Sequence, residues 1–150
     1  MTVSDRLTSA AGPGPEANLG YLFRLAHQRF RVALEDRLRD VGLSAQEYGV
    51  LSVFEDRPEL SASDLARIAQ VTRQTMHAAV NRLEATGLIE RSARNQRVVL
   101  LRLTRSGRDR LGAATERVRE VEGLALAGLS RSDERAIRTW LARVADMSRS

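Results

Sequence analysis

Few side chains in this sequence are placed for bond-making chemistry. The two histidines, His27 and His77, have no His, Cys or Glu beside them at metal-ligand spacing. There is no cysteine, so disulfides, thiolate metal sites and thiol redox sensing are excluded. Glu35-Asp36 and Glu55-Asp56 are adjacent pairs, and neighbours on a helix point to different sides. No glycine-rich phosphate loop appears; the 10 glycines fall mostly at expected helix ends or in the N-terminal tail. No metal, cofactor or catalytic role is expected. What remains is recognition chemistry. Arg73, Gln74, Thr75, His77 and Ala78 crowd one short stretch and mix charged, amide, hydroxyl and small groups. That set suits base edges in a major groove: Arg fits guanine, Gln fits adenine, and small apolar groups fit the thymine methyl.

These residues need a helix to hold them. Ser61 starts a first short helix, with Ser61-x-x-Asp64 matching a capping-box pattern, and Leu65, Ile68 and Ala69 are its expected buried set. It ends near Gln70-Val71. Thr72 is a second N-cap, and Met76, Val80 and Leu83 repeat as the buried stripe of the helix it opens. Gly87 suits a left-handed C′ position. Leu88 to Arg91 and Arg97 to Leu103 have strand composition, joined by Ser92 to Gln96. The pattern is a helix-turn-helix followed by a β-wing. The base-reading residues lie on the face opposite the stripe, towards the start of the second helix. Ser61, Ser63, Arg82, Arg91, Arg94 and Arg97 are expected on the DNA backbone or in the minor groove, where arginine is favoured by the enhanced negative potential of a narrow groove.

A helix pair is often only a packing unit, and an arginine-rich face is often only a solvated one. Charge distribution argues otherwise. Ser61 to Arg110 holds 10 Arg against 4 acids, whereas the rest of the chain holds 14 Arg against 15 acids. The whole net charge of +5 therefore sits in one third of the 150 residues, as a nucleic-acid surface requires. All the basic residues are arginine, which reads as compositional bias.

The flanks read as supports. Residues 1–17 contain Gly12-Pro13-Gly14-Pro15 and no apolar period, and are expected to be a flexible tail. Residues 18–150 form one domain, of ordinary size for a single core. Asn18 caps a helix to about Val41, with a broad apolar stripe from Leu19 and Leu22 to Leu38. Ser44 caps the next, to about Glu55, with Tyr48, Leu51 and Phe54 inward. Thr104 caps a long helix to about Ala127. Ser130 caps the last, whose apolar face is Ile137, Trp140, Leu141, Val144 and Met147. A single copy offers little to cover the terminal stripes, so pairing with a second copy is the simple solution. A two-fold dimer would set two recognition helices ~34 Å apart and read a roughly palindromic site. No signal peptide and no membrane-spanning apolar run are visible, so a cytoplasmic protein without a membrane partner is expected.

In order along the chain, Leu43-Ser44-Ala45-Gln46-Glu47-Tyr48, Leu65-Ala66, Arg82-Leu83-Glu84, Gly87-Leu88-Ile89-Glu90-Arg91 and Leu103-Thr104-x-x-Gly107 resemble the MarR family of winged helix-turn-helix transcriptional regulators. The resemblance runs from about Leu19 to Met147. It implies a mainly α (α+β winged-helix) fold: six helices, a two-stranded β-wing, and an intertwined homodimer through the N- and C-terminal helices. The winged helix-turn-helix would span 44–104, and the dimerisation helices 18–41 and 104–147. Leu19, Leu22, Leu124, Ile137, Trp140, Leu141 and Val144 would lie in the interface. The implied function is a DNA-binding repressor, released from a palindromic operator by a small aromatic or phenolic ligand. A candidate pocket comprises Phe23, His27, Phe30, Arg31 and Tyr48, with apolar walls for a ring and a cation or imidazole for a carboxylate. The family's wing usually has an Asp-rich tip ending Asp-Arg-Arg. Here Ser92-Ala93-Arg94-Asn95-Gln96-Arg97 is shorter and lacks an acid, though Arg97 matches the last arginine. The alternative function is a low-specificity architectural DNA binder without a ligand.

Overall fold

The computed structural model describes residues 18–95 and 98–147, with the backbone alone at residues 93–95. The N-terminal tail expected at 1–17 lies outside these residues. Six α-helices and one two-stranded antiparallel sheet make up the described part: α1 Leu19–Leu38, α2 Ala45–Ser52, α3 Ala62–Ala69, α4 Arg73–Ala85, β1 Ile89–Asn95, β2 Val98–Leu103, α5 Arg105–Ala125 and α6 Arg131–Asp146.

A side-chain oxygen opens each of these six α-helices. Asn18, Ser44, Ser61, Thr72, Thr104 and Ser130 each accept a hydrogen bond from the amide three residues on. These bonds satisfy donors that a helix start leaves free, and each such cap contributes ~1 kcal/mol. Short 3-10 turns, Arg39–Val41 and Val53–Glu55, extend α1 and α2 to the ends that their apolar patterns predicted. Gly42 and Gly87 end their helices at φ 68° and 72°. Behind Gly87, the Leu88 amide reaches back to the Leu83 carbonyl at 2.9 Å, closing the helix end. The turn between α3 and α4 has no glycine. Gln70 itself takes the left-handed conformation, at φ 53°.

The core is the winged-helix unit. Leu38, Leu43, Val50, Leu51, Phe54, Leu65, Met76, Val80, Leu83, Leu88, Ile89, Leu101 and Leu111 are all buried in one cluster. No polar or charged residue is buried among the described residues, so this core carries no desolvated charge. The stripe expected on α4 is buried as Met76, Val80 and Leu83, joined by Ala79. On α3 the expected set needs correction. Leu65 is fully buried and its neighbour Ala66 is buried beside it, whereas Ile68 and Ala69 are half-buried. Both still pack against the core cluster, at its edge.

β1 pairs with β2 from Ile89 opposite Leu103 to Asn95 opposite Val98, with an irregularity between Ala93 and Asn95. Leu60 adds a one-residue bridge on the other side of β2, exchanging bonds of 3.1 and 2.7 Å with Leu101. That bridge docks the loop before α3 onto the wing.

α6 packs differently. None of its residues is buried. Its described contact with α1 includes Trp140, edge to face with Phe23 at 5.9 Å between ring centres. An apolar surface of Leu19, Phe23, Leu124, Ile137, Leu141 and Met147 stays exposed, with Leu124 70 % and Met147 74 % accessible.

Candidate nucleic-acid interface

α4 presents one buried and one open face. Arg73, Gln74, Thr75, His77 and Ala78 are all exposed, as their spacing against the stripe predicted. Among the described residues, the side chains of Arg73, Gln74 and His77 make no hydrogen bond, and none is in an ion pair. Thr75 is partly engaged: its hydroxyl accepts from Thr72 Oγ1 at 2.9 Å. The Thr75 hydroxyl proton remains for an acceptor on a ligand, because Thr72 supplies the proton of that bond. Thr72 Oγ1 also accepts the Thr75 amide at 3.1 Å, so the helix start is fixed before DNA arrives.

The arginines around this face are less free than their sequence suggests. Arg82 donates from Nε to Glu47 Oε1 at 3.2 Å. Arg91 donates from Nε to both Glu84 oxygens, at 3.0 and 2.9 Å, tying the base of the wing to the end of α4. Arg102 pairs with Glu90 across the strands at 2.7 Å. Arg67 pairs with Asp64 within α3. Arg108 and Arg110 donate to the carbonyls of Leu103 and Val41. Acids thus hold Arg82 and Arg91 by Nε, and among the described residues neither Nη group donates a hydrogen bond. The side chain of Arg94 and the whole of Arg97 lie outside the described residues.

Ser61 caps α3, but it does so differently from a reciprocal capping box. Its hydroxyl accepts the Asp64 amide at 3.1 Å and donates its own proton to Asp64 Oδ2 at 2.8 Å. That proton is therefore committed within the chain, whereas Ser63 in the first turn is exposed. The Ser61 hydroxyl, and after it Arg67, holds the Asp64 carboxyl below its ordinary pKa. A depressed carboxyl adds stability above its unfolded value and loses it as pH falls through the folded one, so this cap weakens only in acid.

Reciprocal boxes form at Ser44 with Glu47 and at Ser130 with Asp133. Glu47 is the partner of Arg82 that the base-reading argument missed. Its signal was present as Ser44-x-x-Glu47, a capping-box spacing. The further contact to Arg82 joins residues 35 apart and has no local signature.

The five residues suggested for a ligand pocket lie on α1 and α2. Phe23 is exposed and meets Trp140 edge to face, His27 and Arg31 are exposed, and Phe30 and Tyr48 are half-buried. Tyr48 packs against the core. Two grooves lie elsewhere. One, of about 640 Å³, runs between Arg39–Gly42 and the start of α5. The other, of about 690 Å³, lies beneath the wing between Pro58–Ser61 and Arg102. None of the five lines either groove.

A helix pair with an open second helix, followed by a hairpin docked on the preceding loop, defines a winged helix-turn-helix protein. Residues 41–97 match the family profile described as MarR family. The HTH-type transcriptional repressor Rv2887 of Mycobacterium tuberculosis is 30 % identical over 135 residues, which cover 89 % of this chain and 97 % of the relative. The chain belongs to the MarR family of transcriptional regulators. The fold agrees. A MarR-family regulator from Rhodococcus sp. RHA1 superposes with a TM-score of 0.81 at 22 % identity, covering 89 % of this chain and 96 % of that one. The repressor CouR, solved bound to a 23-mer DNA duplex, gives 0.80 at 26 % identity, covering 86 % and 93 %. Rv2887 in complex with salicylic acid gives 0.69 at 30 % identity, covering 85 % and 96 %. Among the described residues no helix is long and apolar enough to cross a membrane.

Proposed function

We propose that this protein is a homodimeric, sequence-specific repressor that occupies a roughly palindromic operator and releases it when a small aromatic acid binds. The observation that carries the reading is the state of α4. Arg73, Gln74 and His77 stand exposed with no partner of their own among the described residues, on a helix whose start and opposite face are fixed. Unpaired recognition groups on a preorganised helix are what base reading needs. Arg82, Arg91, Arg94, Arg97 and Ser63 serve the backbone or the minor groove. CouR, of the same fold, was solved on a DNA duplex, which supports the assignment.

The exposed apolar surface of α1, α5 and α6 takes a second copy in this reading. Leu19, Leu22, Leu124, Ile137, Trp140, Leu141 and Val144 form the interface. The salicylic acid complex of Rv2887 supports an aromatic-acid ligand. Phe23, His27, Phe30, Arg31 and Tyr48 hold it where the dimer helices meet the winged unit. The ligand acts only as far as its affinities for the DNA-bound and free forms differ.

Selection of bound fragments from random-sequence DNA tests this. A two-fold symmetric motif, with half-sites about one helical turn apart, supports the reading. Retention of all sequences alike, with a steep salt dependence, favours a low-specificity architectural binder. A panel of aromatic acids then tests release: unchanged operator affinity across the panel removes the ligand.

A further inference from the structure

We infer that Glu47 is a positioning residue for DNA binding, aiming the Arg82 guanidinium at the phosphate backbone. The inference rests on the assignment of α4 as the recognition helix. Glu47 lies in the first turn of α2, its side chain only 16 % exposed. One carboxylate oxygen, Oε2, accepts the Ser44 amide at 2.9 Å, while the Ser44 hydroxyl accepts the Glu47 amide at 3.1 Å. The other oxygen, Oε1, accepts from Arg82 Nε at 3.2 Å. The carboxylate is thus pinned by the end of its own helix before it meets Arg82.

Arg82 is the basic residue of the last turn of α4, and its side chain is 54 % exposed. A guanidinium is planar with donors in a fixed fork, so anchoring Nε fixes the direction of the Nη edge. Neither Nη group donates a hydrogen bond among the described residues. A planar fork with Nε held and both Nη groups open suits a phosphate, which takes two parallel N–H donors. Holding the side chain in advance also reduces the entropy lost on binding.

Simple charge arithmetic points the other way. A carboxylate near a DNA-facing surface repels the duplex within a Debye length of ~10 Å. A cap alone does not require that charge, because Gln serves at this position of a capping box as well as Glu. The second oxygen, turned to Arg82, is what a Gln side chain cannot reproduce. With its carbonyl on the Ser44 amide, it would turn an NH₂ donor toward the Nε donor.

The opposed signs make a direct test. Glu47→Gln, Arg82→Ala and the double variant are compared with the unaltered protein on a duplex recovered from random-sequence selection. Thermal unfolding and dimer state are checked for each. Glu47→Gln weakens binding roughly 3- to 10-fold, equally on matched and mismatched duplexes, and causes no further loss once Arg82 is gone. Arg82→Ala lowers the slope of log affinity against log salt by about one. Binding by Glu47→Gln as tight as or tighter than the unaltered protein overturns the inference. So does an equal loss from Glu47→Gln with and without Arg82. An unchanged salt slope in Arg82→Ala overturns it independently, whether or not Glu47→Gln folds. If the unaltered protein prefers no duplex, the recognition assignment itself falls and takes the inference with it, an outcome visible before any variant is made.

Discussion

Gly107 sits where α5 leaves the wing, and a Cβ there would be driven into the carbonyl oxygen of Leu88. The same joint is closed by Thr104, whose hydroxyl accepts the Gly107 amide at 2.9 Å and donates to the Gly87 carbonyl at 2.6 Å. The obstacle to a Cβ is backbone, which cannot swing aside. Gly107→Ala is therefore expected to lose about 2–3 kcal/mol of unfolding free energy in a denaturant titration. A loss below ~0.5 kcal/mol would show that the contact relaxes freely, as at an ordinary surface site. Sequence comparison gave Thr104-x-x-Gly107 as a pattern; its cause is a non-local approach that spacing alone does not reveal. Gln70 shows the converse. Its left-handed φ has no sequence signal, because glycine is the residue that marks such turns and none stands there. On the open face of α4, Gln74→Ala should relax preference at one base pair of each half-site and cost ~1–3 kcal/mol. Measured on matched and mismatched duplexes, equal loss on all of them would make Gln74 a phosphate contact.

The helices were legible because their signals are local. Every N-cap read from the sequence is observed, since a cap needs only its own residue and the amides one turn ahead. The wing was legible in composition and only partly in structure. Its two strands pair as a hairpin, but β1 runs on to Asn95 through residues expected in the connection, because backbone pairing opposite β2 extends it. The Leu60 bridge to Leu101 joins segments 41 residues apart through backbone groups alone. The ion pairs of Arg82 and Arg91 were missed for the same reason, because charge counting does not say which arginine already has a partner. On the wing, Arg97→Ala should weaken DNA binding and lower the salt slope by about one. A slope that stays the same would mean that this wing, short and without its acid, does not reach the duplex.

At the scale of the whole molecule, the two halves differ in how they are satisfied. The winged unit holds most of the buried cluster, whereas α6 buries none of its residues and leaves Ile137 and Leu141 about two-fifths exposed. The stripes of α1 and α6 were legible as apolar periods. The partner expected from the sequence, a second copy, is not visible in the contacts of one chain and stays a proposal. If that partner is a second copy, Ile137→Glu with Leu141→Glu places charge in the interface and should give a folded monomer. Sedimentation would show half the mass of the unaltered protein, and operator affinity should fall at least ~100-fold as the second half-site contact is lost. A double variant that stays dimeric would move the interface elsewhere.

The central claim is that the free recognition face of α4 reads sequence. The most direct measurement is the affinity of the purified protein for its own upstream intergenic DNA against a scrambled duplex of equal length, at one fixed near-physiological salt concentration. The account predicts one dimer per duplex and a preference of at least ~10³-fold for the native sequence. Equal weak binding to both would contradict specific recognition at that locus, and absence of binding even at low salt would contradict the account as a whole.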